Sequence, residues 1–217
     1  MSAEPQRRPI ATRDRAWAKN LARTLATAGV APDVISIASA IFAVAAGVLL
    51  WLSGTSDGVA RVLELLGAAA LIQLRLLCNM LDGMVAVECG MQTPHGELFN
   101  DLPDRVADLA VLLGAGYSLT AFSWGRELGW VAGALALLTA YVRVLGAAMG
   151  ARHYFFGPLA KPHRMAVMTV ACVVSVFEPL WSWHGETIAL ALAIIVAGCA
   201  VTIVRRTLAI VAEVGAR

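Results

Sequence analysis

Apolar runs of helix length recur along almost the whole chain, at about 34–53, 59–89, 97–123, 128–150 and 165–183, with a last one ending near Arg205 and Arg206. A bilayer core takes roughly 20 apolar residues per helix, and it admits only elements that satisfy their own backbone hydrogen bonds. The expected fold is therefore all-α: a polytopic membrane protein with six transmembrane helices. The composition agrees, with 59% hydrophobic and 15% charged residues and a mean hydropathy of +0.73, outside the range of soluble domains. At 217 residues the expected organisation is a single membrane domain over 1–217, comprising an N-terminal segment (1–33) and a six-helix bundle (34–212). A net charge of +2, with no basic stripe interleaved with aromatics, excludes nucleic acid as a partner.

The distribution of charge says more than its total. Arg7, Arg8, Arg13, Arg15, Lys19 and Arg23 precede the first run without the apolar core of a signal peptide. Trp17, Leu21 and Leu25 alternate with those basic residues, which predicts either an amphipathic juxtamembrane helix over about 14–27 on anionic headgroups or a solvated basic tail. Arg152, Lys161, Arg164, Arg205, Arg206 and Arg217 fall on the same side as this segment, against only Arg61 and Arg126 opposite. The positive-inside bias puts both termini in the cytoplasm. Trp51, Trp124, Trp130, Trp181 and Trp183 gather at the other face, as an interfacial belt does. Cys78, Cys89, Cys172 and Cys199 show no metal-type pairing and read as small apolar fillers.

Acidic residues are concentrated where the second run ends and the third begins. Asn79 and Asp82, three apart, share a face at the cytoplasmic end of the second helix. Glu97, Asp101, Asp104 and Asp108 follow at intervals of four, three and four on the third, with Asn100 beside them. Acids at a membrane edge are costly and mark functional sites. Hard oxygen donors converging from two helices select Mg2+ or Mn2+, with no His or Cys pair to favour a softer metal. Gly83, Ala86, Gly90 and Gly96 leave a strip of small side chains beside the acids. Such a strip can admit a nucleotide or pack two helices closely. Gly129 and Gly133, like Gly146 and Gly150, suit close packing within the bundle or across a homodimer.

With these residues in register, the sequence resembles the CDP-alcohol phosphotransferase family, whose signature reads D-x-x-D-G-x-x-A-R-x8-G-x3-D-x3-D across the second and third of six membrane helices. Those positions are Asn79, Asp82, Gly83, Ala86, Val87, Gly96, Asn100 and Asp104, with every spacing kept. The resemblance implies a transferase of phospholipid biosynthesis in the inner (cytoplasmic) membrane, with its reaction centre facing the cytoplasm. Its donor is CDP-linked, CDP-diacylglycerol in most such chains; an alcohol acceptor attacks the phosphate distal to cytidine and CMP leaves. By the same carry-over Asp104 is the catalytic base. Asp82, Asn79, Asn100 and Asp104 hold metal, and Gly83, Ala86 and Gly96 line the cytidine diphosphate. Dimerisation is common in that family.

Three positions depart from the signature: Asn79 and Asn100 replace Asp, and Val87 replaces Arg. The two Asn remove negative charge from a site that in the family holds two divalent ions, so Asp101, Glu97 or Asp108 is expected to supply it, Asp101 standing in for Asn100. Arg143, then Lys161, His163 and Arg164, are the expected cations for a phosphate on the donor or acceptor, alongside roles as topology signals or headgroup contacts. Arg75 is the expected ion-pair partner of a nearby acid. Two other classes stay open: a catalytically silent relative that binds CDP-lipid, motivated by the Asn pair, and a small transporter, which would need polar residues running to the far face.

Overall fold

The computed structural model describes residues 15–93 and 95–216, and of Glu97 the backbone only. Arg7, Arg8, Arg13, Arg217 and the Glu97 carboxylate thus lie outside the described residues. The described chain is all-α: α1 (Ala16–Thr27), α2 (Pro32–Ser53), α3 (Gly58–Glu88), α4 (Gly96–Ser118), α5 (Gly125–Ala148), α6 (Lys161–Ser175), a 3-10 turn (Glu178–Trp181) and α7 (Glu186–Gly215). Four of these, α2, α3, α5 and α7, are long and apolar enough to cross a membrane. The chain is a membrane protein. The other two expected spans differ for physical reasons: α4 carries Asp101, Asp104, Arg105 and Asp108 along its first half, and α6 has only 15 residues.

Local chemistry sets the ends. Pro32 opens α2 from its first turn, where a missing amide costs nothing. Gly58, at φ +55°, turns the chain into α3. Pro162 lies in the first turn of α6, so this helix begins at Lys161 rather than at 165. At the far end, α7 continues to Gly215, beyond the expected stop at Arg205 and Arg206, and Arg206 turns inward, 5% exposed.

Glycine decides which helices touch. Any side-chain carbon at Gly47 of α2 would collide with the Ala110 carbonyl of α4, and one at Gly114 would strike the backbone of Gly47. Gly116 of α4 and Gly129 of α5 meet in the same way, and Gly146 of α5 receives Ile210 of α7. Gly129, Gly133 and Gly146 thus pack within the chain. Around these crossings the core gathers Leu50, Leu65, Ile72, Leu112, Met165, Met168, Leu192 and Ile195. A second cluster, Ala18 and Ala22 of α1 with Met80, Leu81, Met84 and Val85 of α3, ties the N-terminal helix to the acidic end of the bundle.

Candidate active site

The approach of α2 to α4 brings three helices together two to three turns from the Gly47–Gly114 contact. Asn79 of α3 sits at their junction: its Oδ1 accepts from the Ser39 hydroxyl of α2, and its Nδ2 donates to Asp104 Oδ1 of α4. One turn further along α3, Asp82 accepts from the Ser36 hydroxyl at 2.7 Å through Oδ2 and from the Gly83 amide at 2.5 Å through Oδ1. Asp82 is 3% and Asp104 8% exposed. Their charges act on one another. Pro103 immediately precedes Asp104 inside α4, and its missing amide removes the helical bond to the Phe99 carbonyl, loosening the turn that carries Asn100 and Asp101.

Cations surround Asp104 and its neighbours on α4. Lys161 Nζ, at the start of α6, contacts Asp104 Oδ2. Arg75 Nη2 lies 3.8 Å from Asp104 Oδ1 and donates to Asp108 Oδ1 at 2.6 Å, so Arg75 is the ion-pair partner expected. Arg164 Nη2 donates to Asp108 Oδ2 at 2.5 Å, while its Nη1 reaches the Leu159 carbonyl at 2.9 Å. Both oxygens of Asp108 are thus taken by guanidinium groups, and the residue is 1% exposed. It is a strut of the fold and not the spare negative charge anticipated for a metal. Asp101 is diverted in a similar way: Arg143 Nη2 reaches its two oxygens at 2.9 and 3.2 Å, and Arg105 donates to Oδ1 at 3.0 Å. Asp101, the residue expected to stand in for Asn100, thus meets two arginines here.

Next to Asp104 a polar cavity of about 200 Å3 is lined by Asn100, Asp101, Arg105, Arg143, Lys161, Arg164 and Arg206, with Thr139 and Phe155 in its wall. Arg206 enters it from α7, held by its bonds to the Thr139 carbonyl at 2.7 Å and the Phe156 carbonyl at 2.9 Å. The guanidinium of Arg143 stacks over the Phe155 ring, 5.4 Å from its centroid. The segment 151–160 closes over this side, anchored where Tyr154 donates to Glu213 at 2.8 Å. That hydrogen bond holds the Tyr154 phenol above its ordinary pKa. His163 is exposed and stands outside the cavity lining. Gly83 and Ala86 are partly buried on α3 beside Asp82, and Gly96 opens α4 against the Thr93 hydroxyl.

Sequence reasoning missed Ser36 and Ser39. Their signal was present, two hydroxyls three residues apart on an otherwise apolar helix, on the face shared with Ala43 and Ala46. It also read Arg206 as a topology signal, and nothing in its local sequence separates it from Arg205.

Among the described residues no three His, Cys, Asp or Glu side chains cluster as a metal site. The junction instead offers two carboxylates, Asp82 and Asp104, with the neutral oxygens of Ser36, Ser39 and Asn79 around them. Mg2+ typically takes one or two carboxylates and completes its shell with water and substrate phosphates. The donor set fits a hard divalent ion of that kind.

No family model matches the chain. The chain is similar to the phosphatidylinositol phosphate synthase of Mycobacteroides abscessus, 29% identical over 181 residues that span 81% of this chain and 77% of the relative. It is 28% identical over 183 residues to the enzyme of the same name from Mycolicibacterium smegmatis, covering 81% and 78%. Among solved structures, Mycobacterium tuberculosis phosphatidylinositol phosphate synthase with CDP-DAG bound has a TM-score of 0.74 at 23% identity, over 89% of this chain and 93% of that one. The same enzyme in complex with manganese and citrate also gives 0.74 at 23% identity, over 89% and 88%. The structural likeness shows a shared fold.

Proposed function

We infer that this chain, which belongs to the CDP-alcohol phosphotransferase family, transfers a phosphatidyl or substituted phosphoryl group from a CDP-linked donor to an alcohol with release of CMP. The relatives' name, and the CDP-DAG bound to one of them, support CDP-diacylglycerol as the donor and phospholipid biosynthesis as the setting. A single observation carries the reading: Asn79 bridges to Asp104 from α3, bringing the two retained carboxylates of the spacing pattern together at the bundle end where the cations pool.

The chemistry needs charge neutralisation, alignment and a proton acceptor. Asp104 takes the acceptor's hydroxyl proton as the new oxygen–phosphorus bond forms and the bond to the CMP oxygen breaks. Asp82 would hold Mg2+ or Mn2+, in keeping with the manganese in a relative, with Asn79, Asn100 and Asp104, the other positions of the pattern, beside it. That ion supplies charge neutralisation at the donor diphosphate. Gly83, Ala86 and Gly96 leave room for the cytidine diphosphate. A positive partner lowers the basicity of a carboxylate, so Lys161 must shift from Asp104 toward substrate phosphate before the proton moves.

The cavity beside Asp104 points to an anionic acceptor. Arg105, Arg143, Lys161, Arg164 and Arg206 line it against only two carboxylates, Asp101 and Asp104. Arginine forks match phosphate oxygens in pairs. A phosphorylated alcohol, of which inositol phosphate is the instance suggested by the relatives' name, suits this lining. His163, outside the lining, serves at most as a headgroup contact.

The setting is a single domain over 1–217 in the inner membrane, with both termini and the site cytoplasmic. In this reading α4 and α6 complete six spans, their charges facing inward, and α1 lies along the headgroups with Trp17 outward and Ala18 and Ala22 on α3. A homodimer is compatible with the many exposed apolar side chains. A silent relative that binds CDP-lipid is the second reading, favoured by the neutral amides at 79 and 100. Purified protein with Mg2+ or Mn2+, CDP-diacylglycerol and a panel of free and phosphorylated alcohols decides between them. Release of CMP with a phosphorylated alcohol is expected. Nucleotide binding without CMP from any acceptor would leave the silent relative.

A further inference from the structure

We propose that the reaction centre takes one divalent cation, on Asp82, and that the Lys161 ammonium, which rests on Asp104 until substrate arrives, serves the diphosphate as a built-in second cation. The proposal rests on the transfer reading and specifies how its site is charged. It starts from where each carboxylate spends its charge. Asp108 is consumed by Arg75 and Arg164, and Asp101 by Arg143 and Arg105. Asp104 is held by Lys161, with Arg75 3.8 Å away. Of Asp82, Asp101, Asp104 and Asp108, only Asp82 has no basic side chain among the described residues within 4.0 Å.

Asn79 closes the other route to a second ion. It is placed to bridge, but it presents its N–H to Asp104 and its carbonyl to Ser39. Turning the amide over would set its oxygen against the Asp104 carboxylate, so the carboxylate itself fixes the orientation. An N–H cannot ligate a metal. Paired divalent ions sit about 3.5–4 Å apart, and at that distance their mutual repulsion demands bridging anionic oxygens. Here the bridging position holds a neutral donor, and the neighbouring carboxylate already carries an ammonium. One divalent ion and one ammonium bring three positive charges to the diphosphate, and they need fewer acids than two divalent ions do. This accounts for Asn at both 79 and 100 without requiring an inactive site.

The test is the number of Mn2+ ions bound by the detergent-purified full chain, measured by equilibrium dialysis and electron paramagnetic resonance with Mn2+ alone. One ion per chain is expected, with an uncoupled six-line spectrum, and Asp82→Asn should remove it. The variant combining Asn79→Asp, Asn100→Asp and Lys161→Met should bind a second ion and show spin coupling. Two coupled ions in the native chain would overturn the proposal while leaving CMP release, and so the transfer reading, intact. No bound ion, or one that survives Asp82→Asn, would overturn it as well. Absence of CMP release with every acceptor would count against the transfer reading instead.

Discussion

Asp104 and Asp108 lie one turn apart on the same helix, yet their surroundings give them different work. Asp108 is enclosed by Arg75 and Arg164, and removing its charge leaves two guanidinium groups buried without an anion. Breaking a buried pair from one side costs about 3–5 kcal/mol. Asp108→Asn should therefore lower the thermal midpoint in detergent sharply, and an unchanged midpoint would show that the pair does not hold the fold. Arg143 differs again, since it joins Asp101 at the cavity rim. Arg143→Ala should raise KM for a phosphorylated acceptor about 10-fold or more, the scale of a lost charge-assisted hydrogen bond, and leave a neutral alcohol little affected. The resemblance to the family signature singled out Asp82 and Asp104. Spacing alone could not separate Asp108 or Asp101 from them, because helical periodicity puts acids on one face without saying which will meet an arginine from a distant helix.

The helix contact on which the site depends is the crossing of α2 and α4 at Gly47 and Gly114. It fixes where Ser36 and Ser39 stand relative to Asp82 and Asn79. Gly47→Leu should force the two helices apart, lowering the thermal midpoint and cutting CMP release together, whereas Gly215→Leu, with nothing near its position, should do neither. Equal effects of the two changes would remove the crossing from the account. Helix positions were largely legible in the sequence, since α2, α3 and α5 match the apolar runs closely. The start of α6 and the end of α7 were not. Pro162 sets the first of those boundaries, and only packing reveals that Arg206 turns inward within a helix that runs on to Gly215.

Taken as a whole, the molecule gathers the carboxylate–cation network around Asp104 at one end and an aromatic rim, with the Arg61–Glu178 pair beneath it, at the other. Trp51, Trp124, Trp130, Trp181 and Trp183 are all exposed. They sit at the ends of α2, α5 and the 3-10 turn that lie away from Asp104. If the positive-inside reading holds, single cysteines replacing Ser56 or His184 in a background without the native four should react with an impermeant maleimide on intact cells. Cysteines replacing Arg152 or Ala216 should react only after permeabilisation, and the reverse pattern would invert the topology. The membrane class and the acidic end were readable from hydropathy and charge, but the basic cavity was assembled from α4, α5, α6 and α7 and was invisible to any local pattern. The most direct measurement is CMP release from CDP-diacylglycerol by the native chain and by Asp104→Asn, with the folded fraction checked by thermal unfolding. A general base contributes roughly 100-fold or more, so the variant should fall by at least about that factor per folded molecule. A variant as fast as the native chain would contradict the role given to Asp104.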